Sequence, residues 1–306
     1  MRQQLCDALV SRSVNPDMVF LTGDLGFMAL EPLQQSMQAR FINAGVAEQN
    51  MVSVAAAMAR EGLDPWVYSI APFCYARPFE QIRNDVAFHN LPVKLIGNGG
   101  GYGYGVMGPT HHGIEDYGIM LTLPNMGVFI PVFDEDVEAV IDRAGASQSP
   151  SYLRLGRGEI PLGFEVPTYA PWRQLTAGGG MVVLVAGPVA GTYIEAFQIL
   201  PEEIRPNLWI VSELPLEKNS LPPLLLKQIS SRQGLCVVEE HVRRGGLGSE
   251  LALLLFEEKI EVGAFHHLYA RAHHYATYGS QNFLRAQSGI DVKSVLGVVA
   301  QKSLEF

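Results

Sequence analysis

The chain has 306 residues, 48% of them hydrophobic and 17% charged, with a formal net charge of −9. That length and apolar share can bury the cores of two ordinary domains, and the acidic balance excludes the basic footprint that nucleic-acid phosphates require. No apolar run is long enough to span a bilayer, the opening MRQQLCDALVSRSV lacks the apolar core of a secretion signal, and Cys6, Cys74 and Cys236 are too few and scattered for a disulfide framework or thiolate metal site; the expectation is a cytoplasmic protein.

In chain order, helix-like patterns fall near 3–12, 46–61, 75–90 and 134–146, and β-rich runs at 18–22 (MVFLT), 65–70 (PWVYSI), 93–97 (VKLIG) and 127–131 (GVFIP). Their alternation is that of βαβ units around a parallel sheet. Residues 1–160 are therefore expected to form an α/β domain. Over 161–180 the pattern lapses, with Pro161, Pro167, Pro171 and a triple glycine, and this stretch reads as a linker. Alternation then resumes with MVVLVA, a helix near 190–200, NLWIVS, a helix near 222–232, LCVVEE, a helix at about 247–257, HLYARA and a last helix from about 291. A smaller α/β domain is expected over 181–306.

Chemistry-bearing residues concentrate in the first domain. In Asn43-Ala-Gly-Val-Ala-Glu48-Gln-Asn, one acid opens an alanine-rich apolar helix with little polar company. Such an acid complements the helix dipole whatever else it does. Later, Gly103-Tyr-Gly105-Val-Met-Gly108 has the spacing of a dinucleotide fingerprint, but it does not join a strand directly to a helix and no acid follows at the required distance. The same glycine-rich loop carries His111 and His112. The pairs His266-His267 and His273-His274 do not read as metal sites, because adjacent residues on a strand point to opposite faces.

Taken in order, LTGDLG, GVAEQN, YSIAPFCYARPFEQIRNDVAFHNLPV, GPTHHGIED, YLRLGRG and CVVEEHVRRGGLGSE resemble the C-terminal portion of transketolases and deoxyxylulose phosphate synthases, over essentially the whole chain. The resemblance implies a pyrimidine-binding domain for thiamine diphosphate followed by a transketolase C-terminal-type domain. It makes Glu48 the carboxyl group that activates the cofactor's aminopyrimidine, and Phe73 or Tyr75 the aromatic that stacks on it, with Phe73 favoured. It makes His111 the proton-handling group on the reactive side, with His112 beside it where transketolases carry glutamine. Asp24 is placed near the pyrimidine edge or a subunit contact. Arg157, and more loosely Arg2, match arginines that hold substrate anions by forked hydrogen bonds.

Departures from the family pattern bear on substrate and assembly. An aspartate, a histidine and a serine that read ordinary sugar phosphates fall on Met107, Gly99 and Met28, so the standard pentose-phosphate pair is not expected. The diphosphate segment that opens with Gly-Asp-Gly has no counterpart here. The resemblance thus implies a split enzyme: an N-terminal partner subunit that carries Mg2+ or Ca2+ and the diphosphate site, and a heterotetramer of two plus two. Its expected reaction moves a two-carbon ketol unit between sugar or sugar-phosphate substrates. The alternatives are a deoxyxylulose-phosphate-synthase-like or 2-oxo acid dehydrogenase beta-type subunit, or a non-catalytic partner of the same fold.

Overall fold

The structure, a computed structural model, describes residues 1–301 apart from Phe27, Met28, Arg232, Tyr275 and Thr277. Its strands in chain order are β1 (Met18–Thr22), β2 (Phe41–Asn43), β3 (Asp64–Ile70), β4 (Lys94–Asn98), β5 (Gly127–Phe129), β6 (Ser151–Leu155), β7 (Trp172–Thr176), β8 (Val182–Ala186), β9 (Asn207–Val211), β10 (Glu213–Leu214), β11 (Leu235–Glu239) and β12 (Phe265–Tyr269). They form a seven-stranded sheet ordered β10-β5-β6-β4-β3-β1-β2 and a five-stranded sheet ordered β12-β11-β8-β9-β7. Every pairing is parallel except β10 on β5 and β7 on β9. Strands β1, β4, β6, β8, β9 and β11 are buried along their whole length, as parallel strands covered on both faces must be. That is why runs such as VVLVA show no polar alternation. The α/β class with two parallel-dominated sheets is as expected.

Helix Glu48–Arg60 shows how local sequence sets packing. Its buried positions are Glu48, Met51, Val52, Ala55, Ala56 and Ala59, a stripe at the spacing of one helix face. The three alanines let it lie close to Val67 and Leu95 of the first sheet. One apolar cluster continues from those residues to Leu184, Val211 and Val237 of the second sheet, so the two sheets share a core.

Two stretches differ from the sequence reading. The helix expected near 75–90 is instead a short helix at Ala71–Tyr75, a break, and a second helix from Phe79–Gln81 that runs on with wider turns through Ile82–Ala87. Pro78 lies in the break; it has no N–H to donate and its ring clashes with the preceding turn. The stretch 161–180, read as a linker, carries strand β7. Its Arg173 is buried against Asp136, which begins helix Asp136–Ala146 of the first unit, with Nη1 to Oδ1 at 2.7 Å and Nη2 to Oδ2 at 2.6 Å. Proline and glycine on either side hid a strand whose pairing partner lies far along the chain.

Candidate active site

Strand register brings the chemistry to one edge. Thr22 stands opposite both Asn43 and Tyr68, Ile70 opposite Asn98, and Asn98 opposite Leu155. The carboxyl ends of β2, β1, β3, β4 and β6 therefore lie level, and the loops that leave them gather where open parallel sheets bind ligands. Those loops carry Asp24, His111 and Arg157, and the helices that open from them carry Glu48 and Phe73.

At the β1–β2 end, Asn43 donates from Nδ2 to Asp24 Oδ1 at 3.1 Å and accepts the Gly45 N–H at 2.9 Å. Gly45 has φ 69°, a left-handed value that favours glycine, and this turn delivers Glu48 to the head of its helix. Asp24 is exposed beside a cleft of about 230 Å³ lined also by Thr22, Phe41 and Asn43. Glu48 itself is only 3% exposed. Its Oε2 accepts a hydrogen bond from Arg77 Nη1 at 2.6 Å, and an ideal Cβ built on Gly23 would stand 3.6 Å from its Oε1. Gly23 thus borders that oxygen, with the Leu25 side chain and the Gly45 carbonyl close by.

Phe73 joins this group to His111. The Arg77 guanidinium carbon lies 4.3 Å from the Phe73 ring centroid, and the His111 ring meets Phe73 edge-on at 5.2 Å. His111 Nδ1 is 3.0 Å from Thr110 Oγ1. Tyr104 stands 6.4 Å from His111, ring to ring, and its hydroxyl accepts from Asn98 Nδ2 at 2.6 Å. The exposed Arg2 guanidinium lies by the hydroxyls of Tyr68 and Tyr104. Arg157 is exposed just beyond β6, where the Gly156 N–H contacts Met1 Sδ at 3.3 Å, so the two arginines sit on neighbouring segments.

Two expected site residues lie elsewhere. Tyr75 is buried in the core and its hydroxyl donates to Glu115 Oε2 at 3.0 Å, so it presents no open face. His112 is 1% exposed rather than on the cleft. Its ring lies parallel to His273 at 5.8 Å and edge-on to Tyr102 at 5.2 Å, and His273 in turn bonds Glu115. Sequence reasoning missed Arg77, Tyr104 and Asn98. Arg77 follows Phe73 by four residues but lies just past the end of the short helix, beside Pro78, so no helical spacing pointed to it.

The three expected departures are placed unevenly. Met107 is exposed on the His111 loop. Gly99 has φ 74°, and any side chain there would run into the Tyr104 ring. Met28 lies outside the described residues. The neck of the loop is closed by paired backbone bonds between Gly101 and Gly113, at 2.7 and 2.9 Å.

Acids and histidines of the second unit build structure. Glu239 is fully buried and accepts the amides of Leu247 and Gly248, at 2.7 and 2.9 Å, which caps helix Leu247–Glu257. His267 Nε2 lies 2.6 Å from Glu239 Oε1, and the Tyr117 hydroxyl donates to Oε2. Glu240 accepts from Arg285 Nη2 at 3.0 Å and from the Tyr102 amide at 2.9 Å. Arg154 is buried, with Asp116 at 3.4 Å and the Glu240 carbonyl at 2.6 Å. Among the described residues no group of three or more His, Cys, Asp or Glu is placed to hold a metal ion.

These groups set a pH dependence of stability. Burial pushes the His112 imidazole down, and the neighbouring His273 adds to it. Burial pushes the Glu239 carboxyl up, but the His267 hydrogen bond, the adjacent His241 and His267 charges and Tyr117 outweigh it and leave it below the usual carboxylate range. Both folded-state values lie below the unfolded ones, so the unfolded chain binds more protons and acid favours it. The His112 contribution is complete above about pH 6.5 and that of Glu239 above about pH 4.3; each is lost as pH falls through its folded value. Urea midpoints are expected to fall from about pH 7 to pH 5 and again below about pH 4. His112→Phe should flatten the upper limb. A midpoint that rose on acidification would contradict this.

Comparison with known proteins gives a consistent picture. The family described as "Transketolase, pyrimidine binding domain" matches residues 7–162. The chain is 27% identical to one of the subunits of an apulose-4-phosphate transketolase of Phocaeicola vulgatus over 271 residues, 85% of each chain. It is 33% identical to a "1-deoxy-D-xylulose-5-phosphate synthase 2" of Geobacter sulfurreducens over 274 residues, 84% of this chain but only 41% of that enzyme. Among solved structures, a "Split gene transketolase, inactive beta4 tetramer" superposes with a TM-score of 0.81 at 27% identity, over 98% of this chain and 96% of that one. With its matched domain spanning the sheet edge where Glu48, Phe73 and His111 meet, the chain belongs to the transketolase family.

Proposed function

We propose that this chain is the pyrimidine-side subunit of a split, thiamine diphosphate-dependent transketolase. Its reaction is transfer of a two-carbon ketol unit between sugar or sugar-phosphate-like substrates. The observation that carries the proposal is the buried Glu48, linked through Arg77 to Phe73 and from there to His111 at one end of the first sheet. These residues fit an aminopyrimidine: a carboxylate for a ring nitrogen and a flat apolar side chain for its face. When bound, thiamine diphosphate supplies the carbon nucleophile and the electron sink.

The chain's own residues divide the remaining work. Glu48 holds the proton at the ring nitrogen, a task that needs a pre-positioned and partly dehydrated acid. Phe73 orients the ring by stacking. His111, with Nδ1 engaged by Thr110, offers Nε2 to the substrate oxygen as proton donor and acceptor. Asp24 lies at the pyrimidine edge. Arg2 and Arg157 would hold a substrate anion. With Met107 and Gly99 in place of polar contacts, the substrates are not the standard pentose-phosphate pair.

The diphosphate and its Mg2+ or Ca2+ are assigned to an N-terminal partner subunit, in a cytoplasmic assembly of two copies of each chain. The description of the Phocaeicola relative as one of several subunits and the inactive tetramer of the structural neighbour support that reading. Calorimetry of this chain alone with thiamine diphosphate and Mg2+ is expected to show no sub-micromolar binding, and co-expression with the partner to restore it. Tight binding by the chain alone would sink the split-site proposal.

A further inference from the structure

We infer that Arg77 is the positioning residue of the activating acid: it holds one oxygen of Glu48 so that the other faces the pyrimidine, and it backs one face of Phe73 so that the other receives the ring. The inference rests on the proposed role of Glu48 and deepens it. Three observations support it. Arg77 Nη1 donates to Glu48 Oε2 at 2.6 Å. Among the described residues no side chain donates to Oε1, which instead borders Gly23. The same guanidinium lies 4.3 Å from the Phe73 ring centroid, a planar cation stacked on an aromatic face.

The geometry makes one side chain constrain both groups that would touch the pyrimidine. A carboxylate whose two oxygens were both free could rotate about its last bond, and an ordering cost would fall on each ligand that bound it. Tying Oε2 to a guanidinium removes that freedom in advance. Arg77 keeps 40% of its side chain exposed while Glu48 keeps 4%, so the charge that accompanies the buried acid reaches it from the solvent side. Lysine could replace the single hydrogen bond but not the planar stack on Phe73.

The test uses the full-length chain and thiamine as probe, with binding followed by ligand-observed NMR at millimolar concentration, in a double-mutant cycle. Arg77→Gln is expected to weaken probe binding about tenfold, the scale of one charge-assisted hydrogen bond, and Arg77→Lys to recover part of that loss. In a Glu48→Gln background, Arg77→Gln should change binding less, because an amide whose carbonyl Arg77 holds has no second oxygen to present to the pyrimidine. Unfolding midpoints measured alongside separate a folding defect from a binding one. Unchanged or tighter binding in Arg77→Gln, or a loss that is the same in both backgrounds, overturns the inference. Glu48→Gln binding as wild type, or no probe binding by the wild-type chain, overturns the reading of Glu48 on which it rests.

Discussion

Glu48→Gln is expected to lower the turnover of the assembled enzyme by about two to four powers of ten, the range for loss of a general acid–base group, with little effect on folding. The amide is the same size as the carboxyl group, so the helix from Glu48 to Arg60 keeps its packed face of Met51, Val52, Ala55, Ala56 and Ala59. Its carbonyl oxygen can still accept from Arg77, and that pair is open to water on the arginine side, so its loss of charge costs on the order of 1 kcal/mol or less. What disappears is the group that can share a proton with a ring nitrogen. Steady-state ketol transfer by the co-expressed pair and urea midpoints of the isolated chain check the two halves of this expectation. Retention of more than about a tenth of wild-type turnover would remove Glu48 from the mechanism.

Asp136→Asn is expected to destabilise the chain by about 3–5 kcal/mol, the cost of leaving a buried partner charge uncompensated. Asp136 is 1% exposed and accepts four hydrogen bonds: Oδ1 from Arg173 Nη1 at 2.7 Å, and Oδ2 from Arg173 Nη2 at 2.6 Å and from the amides of Val132 and Phe133 at 2.9 and 3.0 Å. An asparagine can keep only part of that set, since its nitrogen would face a donor. The buried Arg173, beside the rings of Phe133 and Tyr169, would keep the asparagine oxygen and the Pro167 carbonyl at 3.1 Å as acceptors but would have no negative charge opposite it. Replacing Arg173 and Asp136 together by leucines should cost less than either single loss. Urea unfolding of the two singles and the double gives the comparison; a double variant as damaged as the sum of the singles would mean that the pair is not the unit that matters.

How much could be read beforehand depended on sequence distance. Glu48 and His111 each sit in a short motif with a local structural reason, a left-handed glycine turn before a helix and a glycine-rich loop after a strand, so their placement at the carboxyl edge of the first sheet was legible. Phe73 was legible as one of two aromatics. It was favoured over Tyr75, but that the Tyr75 hydroxyl turns inward to Glu115, forty positions on, no local pattern shows. The fully buried strands announced themselves as unbroken apolar runs, whereas β2 and β10, of three and two residues, are too short to carry a pattern. The Asp136–Arg173 pair, the stack of His112 on His273 and the capping of a helix by Glu239 depend on contacts that no local spacing encodes.

The antiparallel step of β10 onto β5 has a consequence for dissecting the molecule. Residues 213 and 214 belong in sequence to the second unit, yet they finish the edge of the first sheet, while Arg173 anchors the intervening segment back onto residue 136. The polypeptide is stitched rather than strung. A gene truncated near codon 160 would yield a fragment with a bare, unpaired strand edge, prone to pairing with other chains, and a lone buried aspartate. A backbone nick in the exposed residues between β6 and β7 would instead leave two pieces clasped by strand pairing, ion pair and shared core. The two units are best handled, in any rearrangement of domains, as one inheritable block.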